Sequence, residues 1–509
     1  MNHKTKIIII GLDGATWQVL RPLIEKGELP AFKKIIDKGV YGNLLSTVPC
    51  RSAVAIATFY TGKNPCKWGM LDFPCFDADA MAHEKIKSKA QSLWDILGKH
   101  GYKSAILNLP VTYPPTQTNG VMVSGFPPSE EEDYTYPKDF KEKIKGFHAK
   151  RGEFLDSIFR FNYENRTAKD EEDLFNFYLK NAKERYELIK NVIKDKAFNF
   201  SIFWLDEPDS VQHIFWGKEK FLLAFFREID NMLEDIRGQN PDADIVIISD
   251  HGFDARPIYE FYPKTWLKKE NYLRLKGGRV QQWIIQKINN FAVGIHPRER
   301  YKYLERFYSA YNFILKSISR IHKKEKKEVA AKNRNWRLVG ENRVGTKAIG
   351  IDWKKTIATN HDFWGIRIIR ENLNRDYEEV RKEIMEKMKQ LSDESGEKII
   401  KDVWKREELF WGKDIQKFPD IVYLPQSKYE PTGFLPSQII KKKPAPLRPG
   451  GDHVTVREGV FIAAGPNINN AGEIGAINMV DIAPTILEAF GVPIPEEMDG
   501  QVLKEILNL

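Results

Sequence analysis

Five short apolar runs in this chain stop abruptly at polar or glycine residues: Lys6 to Leu12, Ser104 to Leu109, Phe200 to Leu205, Asp244 to Ile248 and Gly459 to Ala464. Runs of this length without alternation fit strands buried on both faces, as in a parallel sheet covered by helices. Between them lie stretches of helical period, at Leu93 to His100, Asp170 to Lys196 and Lys220 to Gly238. Strand and helix in alternation predict an α/β fold, a doubly wound, mostly parallel central sheet flanked by helices. The regularity fails between Pro257 and Asn360, where Lys, Arg and aromatic residues accumulate. The pattern predicts a core formed by residues 1–256 and 351–509. Residues 257–350 are expected as an inserted, basic, mainly helical cap, with helix over Gln281 to Lys327. Arg370 to Leu391 carries many charges around a sparse apolar stripe and predicts a surface helix.

In doubly wound sheets, functional groups gather just beyond the carboxyl ends of the strands. Asp13 follows the first run directly, in Gly11-Leu12-Asp13-Gly14; a carboxylate there suits a cation and would repel a pyrophosphate. Asp250 and His251 follow the run 244–248, and carboxylate oxygen with imidazole nitrogen suits zinc or a similar divalent ion. An Asp cap beside a surface His is the structural alternative. Asp209 and His213 follow the run 200–205; with Pro208 in a first helical turn they share one helix face. Asp206 and Glu207 point elsewhere in that register. His453 stands on a glycine-rich loop, Gly450-Gly451-Asp452, where packing does not call for it. Ser52 sits at or near the start of a small-residue helix running to Thr61-Gly62. Backbone N–H groups there favour a phosphoryl group, although a plain capping serine is the commoner role.

Composition narrows the class without deciding it. The chain has 509 residues, 42% hydrophobic and 29% charged, which is ordinary for a globular protein. Its formal net charge of +9 is compatible with an anionic partner but too small to argue for nucleic acid. The three cysteines, Cys50, Cys66 and Cys75, do not have the spacing of a paired zinc site. An odd, sparse count points to a reducing, cytoplasmic compartment. No apolar run approaches the roughly 18 residues of a transmembrane helix. The run Lys323-Lys324-Glu325-Lys326-Lys327 in the expected cap reads as a solvated face or, alternatively, as a contact for anionic surfaces.

Taken in order, these segments resemble the alkaline phosphatase superfamily, and within it the type I phosphodiesterase and nucleotide pyrophosphatase branch. The resemblance rests on Gly-Leu-Asp13-Gly, on a hydroxyl residue nine positions before Thr61-Gly62, and on Asn64-Pro65. It continues with Pro208-Asp209-x-x-x-His213, Ser249-Asp250-His251-Gly252, Gly-Asp-His453 and the tail Val480-Asp481-Ile482-Ala483-Pro484-Thr485 with Asp499-Gly500. It implies a hydrolase of a small-molecule phosphate ester or nucleotide, with Ser52 as nucleophile and a phosphoseryl intermediate. It also implies two divalent metal ions, zinc or manganese. Asp209, His213 and His453 would hold one, and Asp13, Asp250 and His251, with Ser52, the other. Phosphodiester or pyrophosphate hydrolysis is the first expectation. Phosphomonoester or phosphonate hydrolysis is the second, and a basic membrane- or nucleic-acid-binding protein on an inactive scaffold is the third.

Two departures bear on the substrate. Trp68-Gly69 replaces the His-Gly common in the diesterase branch. Phe73 stands where nucleotide pyrophosphatases carry a phosphate-contacting Asn, beside Asp72. Arg51, next to the nucleophile, and Phe73 are the candidate substrate contacts. Sulfatases share the fold, but neither Cys50-Arg-Ser-Ala-Val nor Ser52-Ala-Val-Ala-Ile matches their maturation motif. Cofactor-independent phosphoglycerate mutases insert a whole domain soon after the serine, and this chain does not.

Overall fold

A computed structural model describes residues 5–68, 90–125, 130–149, 166–293, 351–361, 364–413, 415–443 and 450–508. The chain divides into two compact units. The first comprises 1–256, 410–416 and 445–509, and the second 257–409 and 417–444.

The first unit is built on a ten-stranded sheet. Its strands include β1 (Ile7–Leu12), β2 (Val40–Leu45), β3 (Ser104–Leu109), β4 (Gly120–Ser124), β5 (Thr135–Tyr136), β6 (Phe200–Leu205) and β7 (Asp244–Ile248). From β2 inward the order is β2, Glu458–Ala464, β7, β1, β6, β3, β4, β5, with the short strands Gly472–Glu473 and Ile477–Asn478 on β2. The isoleucines of β1 explain its central place. Ile8 and Ile10 enter one apolar core and Ile7 and Ile9 the other, so a period of two in side-chain direction needs apolar residues at every position. One face is covered by helices Ala168–Ile193 and Glu219–Gln239, the other by Ser52–Thr61 and Ile482–Ala489. All five strands expected from the apolar runs are present.

Register sets the level at which the chain leaves the sheet. Leu12 pairs with Leu205, and Gly11 with Ile248, so β1, β6 and β7 end side by side. Glu458–Ala464 departs from the expected parallel direction and runs antiparallel to both β7 and β2. Its first residues therefore lie at the edge where its neighbours end, beside Ile248 and Leu45. An antiparallel strand delivers to this edge the residues that precede it, and β2 delivers those that follow it.

The second unit is larger than the expected 257–350 insertion. Residues 351–409 and 417–444 join it, because their apolar side chains form a separate core with Phe261, Trp266 and Ile285. Among its described residues, strands accompany the helices. A four-stranded antiparallel sheet runs Ala358–His361, Gly365–Ile368, Ile421–Pro425, Ile400–Lys405, and Tyr259–Phe261 centres a three-stranded one. The expected helix over 370–391 begins later, at Tyr377, because Asp376 accepts hydrogen bonds from the N–H groups of Glu378 and Glu379 and caps it. Of the expected cap helix, Arg279–Ala292 is seen, while Lys323–Lys327 lies outside the described residues. Among the described residues no helix is long and apolar enough to cross a membrane.

His361, on the edge strand of that antiparallel sheet, gives this unit a pH dependence. Loss of hydration, then the positive charge of Arg367, push its imidazole down from 6.5 to about 4. The native side chain thus stays neutral while an unfolded one takes up a proton, so its contribution is complete above pH 6.5 and is lost as pH falls toward 4. We expect urea unfolding of the wild type to weaken by up to about 1.4 kcal/mol per pH unit in that window. His361→Gln should flatten this limb, and an unchanged limb would reject the assignment.

Candidate metal and phosphoester site

Seven of the eight described candidate residues bring a functional atom to the sheet edge, and the eighth brings its charge. Asp13 follows β1, Asp250 and His251 follow β7, and Asp209 and His213 lie on the helix Glu207–Phe215 after β6. His453 precedes Glu458–Ala464, and Ser52 opens the helix Ser52–Thr61 after β2. Phe73 lies outside the described residues.

His251 is the centre. Its Nδ1 is 3.0 Å from the Gly252 carbonyl oxygen. Donation there leaves the Nε2 lone pair facing the site, the usual way a second contact orients a metal-binding imidazole. Around Nε2 lie Asp250 Oδ2 at 3.2 Å, Ser52 Oγ at 3.2 Å and Asp13 Oδ1 at 3.6 Å. Asp13, Asp250 and His251 are buried. A second group forms on Asp209. His213 Nε2 is 3.4 Å from Asp209 Oδ2, and His453 Nε2 is 3.8 Å from Asp209 Oδ1. His213 is oriented as His251 is, with Nδ1 3.0 Å from the Gly451 carbonyl oxygen. The rings of His251 and His453 stack with centroids 3.8 Å apart.

These separations fit a cation. Bonds of about 2.0–2.2 Å in a tetrahedron place neighbouring ligand atoms about 3.3–3.6 Å apart. The donors also show which oxygens are engaged. Asp13 Oδ2 accepts from the Trp204 indole N–H at 3.1 Å, and Asp250 Oδ1 accepts from the Gly14 N–H at 3.1 Å. The opposite oxygens, Asp13 Oδ1 and Asp250 Oδ2, and Asp209 Oδ1 are buried without a hydrogen-bond donor. Two ligand sets within mutual reach result: Asp13, Asp250, His251 and Asp209, His251, His453. His251 borders both, whereas the expected division placed it with Asp13 alone and put His213 with Asp209 and His453.

Crowding is visible in the electrostatics. Burial, then Asp250 and Asp209, hold the Asp13 carboxyl well above the ordinary carboxylate range. Burial also raises Asp209, against the opposing pull of His213 and His251. His453 is driven well below the ordinary imidazole value by burial, His251, His213 and Arg51. Arg51 thus places its charge at the site. It also occupies the helix N-cap position, so Ser52 is the first helical residue and its hydroxyl faces His251 instead of capping.

Buried pairs and close approaches complete the frame. Asp206 and Glu207 point away from the cluster, as their helical register leads one to expect, toward Arg185, each 2.6 Å from its Nη1. Gln212 ties helix to loop by donating to the Gly14 carbonyl oxygen at 2.8 Å. Trp204 lies across β1 because Gly11 has no side chain; a Cβ there would come within 1.9 Å of the indole. Gly450, at φ +127°, lets its loop press on the His213 carbonyl oxygen, 1.9 Å from where a Cβ would be.

The sequence model of the type I phosphodiesterase / nucleotide pyrophosphatase family matches residues 7–341. The chain belongs to this family. It is therefore a phosphoric ester hydrolase. Among solved structures it is similar to human ectonucleotide pyrophosphatase/phosphodiesterase 5, at 12% identity and TM-score 0.50, covering 99% of this chain and 100% of that one. A variant of alkaline phosphatase PafA is similar at 14% identity and TM-score 0.52, covering 99% of each chain. These likenesses support the alkaline phosphatase-like α/β fold. No curated protein matches the chain.

In this family member the Gly11–Trp204–Asp13 contact has a testable consequence. Gly11→Ala should lower stability by about 1–3 kcal/mol, the usual cost of overpacking. Gly238→Ala, where a Cβ meets nothing within 4 Å, should be neutral or slightly stabilising. Urea unfolding of both variants decides the matter; equal stabilities would show that the indole yields freely.

Proposed function

We propose that this chain hydrolyses a phosphodiester or pyrophosphate bond with Ser52 as nucleophile. The observation that carries the reading is the convergence of Ser52 Oγ, Asp13 Oδ1 and Asp250 Oδ2 on His251 Nε2, all within 3.6 Å. Asp13, Asp250 and His251, joined by Ser52, would hold one divalent ion, and Asp209, His213 and His453 a second. The carboxylate and imidazole donor set suits zinc, with manganese the alternative. When bound, the ions supply Lewis acidity and a net positive field, since three carboxylates do not neutralise two divalent charges.

The chain's own residues do the rest. Ser52 Oγ attacks phosphorus, the ester oxygen leaves as an alcohol, nucleotide or phosphate once protonated, and a phosphoseryl group remains. Water then attacks phosphorus, the P–Oγ bond breaks, the phosphate product departs, and Ser52 Oγ takes up a proton that the attacking water gives up. Backbone N–H groups at the start of helix Ser52–Thr61 would donate to phosphoryl oxygens bound beside Ser52, and the helix dipole would favour their charge. Arg51, flanking Ser52, places a further cation at the site and is our candidate for a phosphoryl contact. Phe73, the other candidate contact, carries an apolar ring where the family carries an amide, and would offer the substrate packing instead of a hydrogen bond.

Hydrolysis of bis-p-nitrophenyl phosphate and of p-nitrophenyl phosphate, with added zinc or manganese, tests this reading. The diester should turn over faster than the monoester. Ser52→Ala and His453→Ala should each lose roughly a thousandfold or more in kcat. Faster monoester turnover would move the chain to the phosphomonoesterases. Variants as active as the wild type would refute Ser52 as nucleophile.

A further inference from the structure

Helix Arg279–Ala292 of the second unit carries apolar residues on two faces, Ile285 and Ile288 inward and a second stripe turned to water. A surface helix normally turns apolar residues inward and polar ones to water. Here Val280, Trp283 and Phe291 are 71%, 60% and 56% exposed. With 100° per residue they fall, together with Lys287, within about 80° of arc. Part of the inward face is polar, and it is committed. Gln286 donates to the Leu435 carbonyl oxygen at 2.8 Å, and Asn289 Oδ1 accepts from the Leu435 N–H at 3.0 Å. Ile285 is packed into the unit's core between them. Rotating the helix to hide the outer stripe would break these bonds and leave buried polar groups unpaired, so the stripe is fixed outward.

We propose that this outward face docks on an anionic lipid surface. The charge pattern selects that occupant. From Asn271 to Val293 there is no Asp or Glu, whereas Arg274, Lys276, Arg279 and Lys287 are basic. Lys287 lies inside the apolar stripe, its ammonium 5.5 Å from the Trp283 ring centre. A lysine among exposed apolar side chains can run its stem along them and set its charge at headgroup level, where Trp is also favoured. Moderate apolar area combined with several cations is the composition of helices that lie in a membrane interface, and binding then depends on anionic lipid. No residue of this face belongs to the candidate phosphoester site.

Co-sedimentation of the full chain with vesicles tests the proposal. The wild type should bind vesicles of phosphatidylcholine with phosphatidylserine, bind phosphatidylcholine alone far less, and detach as salt is raised. The triple variant Val280→Ser, Trp283→Ser, Phe291→Ser keeps the charge and should lose roughly tenfold or more in partition. Lys287→Glu should lose several-fold. Unchanged hydrolysis of bis-p-nitrophenyl phosphate and an unchanged melting curve would show that the variants are folded. Absence of binding by the wild type, or equal binding by the triple variant, overturns the proposal. So does a wild-type dimer in sedimentation velocity that the triple variant abolishes, since the face would then be covered by a second copy.

Discussion

Asp13 Oδ1, Asp209 Oδ1 and Asp250 Oδ2 are buried oxygens that no hydrogen-bond donor satisfies, gathered around three imidazoles. Burying a carboxylate is costly unless positive charge or donors compensate it. The chain compensates only half of each need at Asp13 and Asp250, through Trp204 and Gly14, and leaves the remaining oxygens facing one another across His251. A divalent cation would supply what is missing to several carboxylates at once. Much of the surrounding construction follows from holding those groups together: the fixed tautomers of His251 and His213, the glycine at position 11 and the absence of a side chain at Gly450.

The sheet brings these groups together from distant parts of the sequence. Parallel strands β1, β6 and β7 end at one level and release Asp13, Asp209 and Asp250–His251 there. Glu458–Ala464 reverses direction, so the residue ahead of it, His453, arrives at the same level. β2, antiparallel to that strand, then releases the segment leading to Ser52. The convergence of the proposed nucleophile and ligand groups is thus a product of strand direction as much as of residue type. Helix Glu207–Phe215 carries the candidate ligands Asp209 and His213 one turn apart, and the Arg185 pair with Asp206 and Glu207 fixes its first turn.

The sequence makes the sheet centre legible because Ile7–Leu12, Phe200–Leu205 and Asp244–Ile248 are apolar at nearly every position, which only double-sided burial explains. The ligand types at their ends are legible for the same reason, since a charged residue directly after such a strand has little packing role. β2 carries no such signal: Val40–Leu45 includes Gly42 and Asn43 and is buried only on alternate residues. The Trp204 contact is also silent, because an indole in an apolar strand reads as core until its N–H partner is known. The extent of the second unit is hidden because residues 351–409 and 417–444 have strands and helices like those of the first. Their membership depends on which core they enter.

Elemental analysis after equilibrium dialysis against zinc tests the central claim most directly. Asp13 belongs to one ligand group and Asp209 to the other, with His251 at their border. The account predicts two ions per chain for the wild type and one each for Asp13→Asn and Asp209→Asn, one for each of the two groups. A wild-type chain that retains no zinc, or variants that retain as much as the wild type, would contradict it.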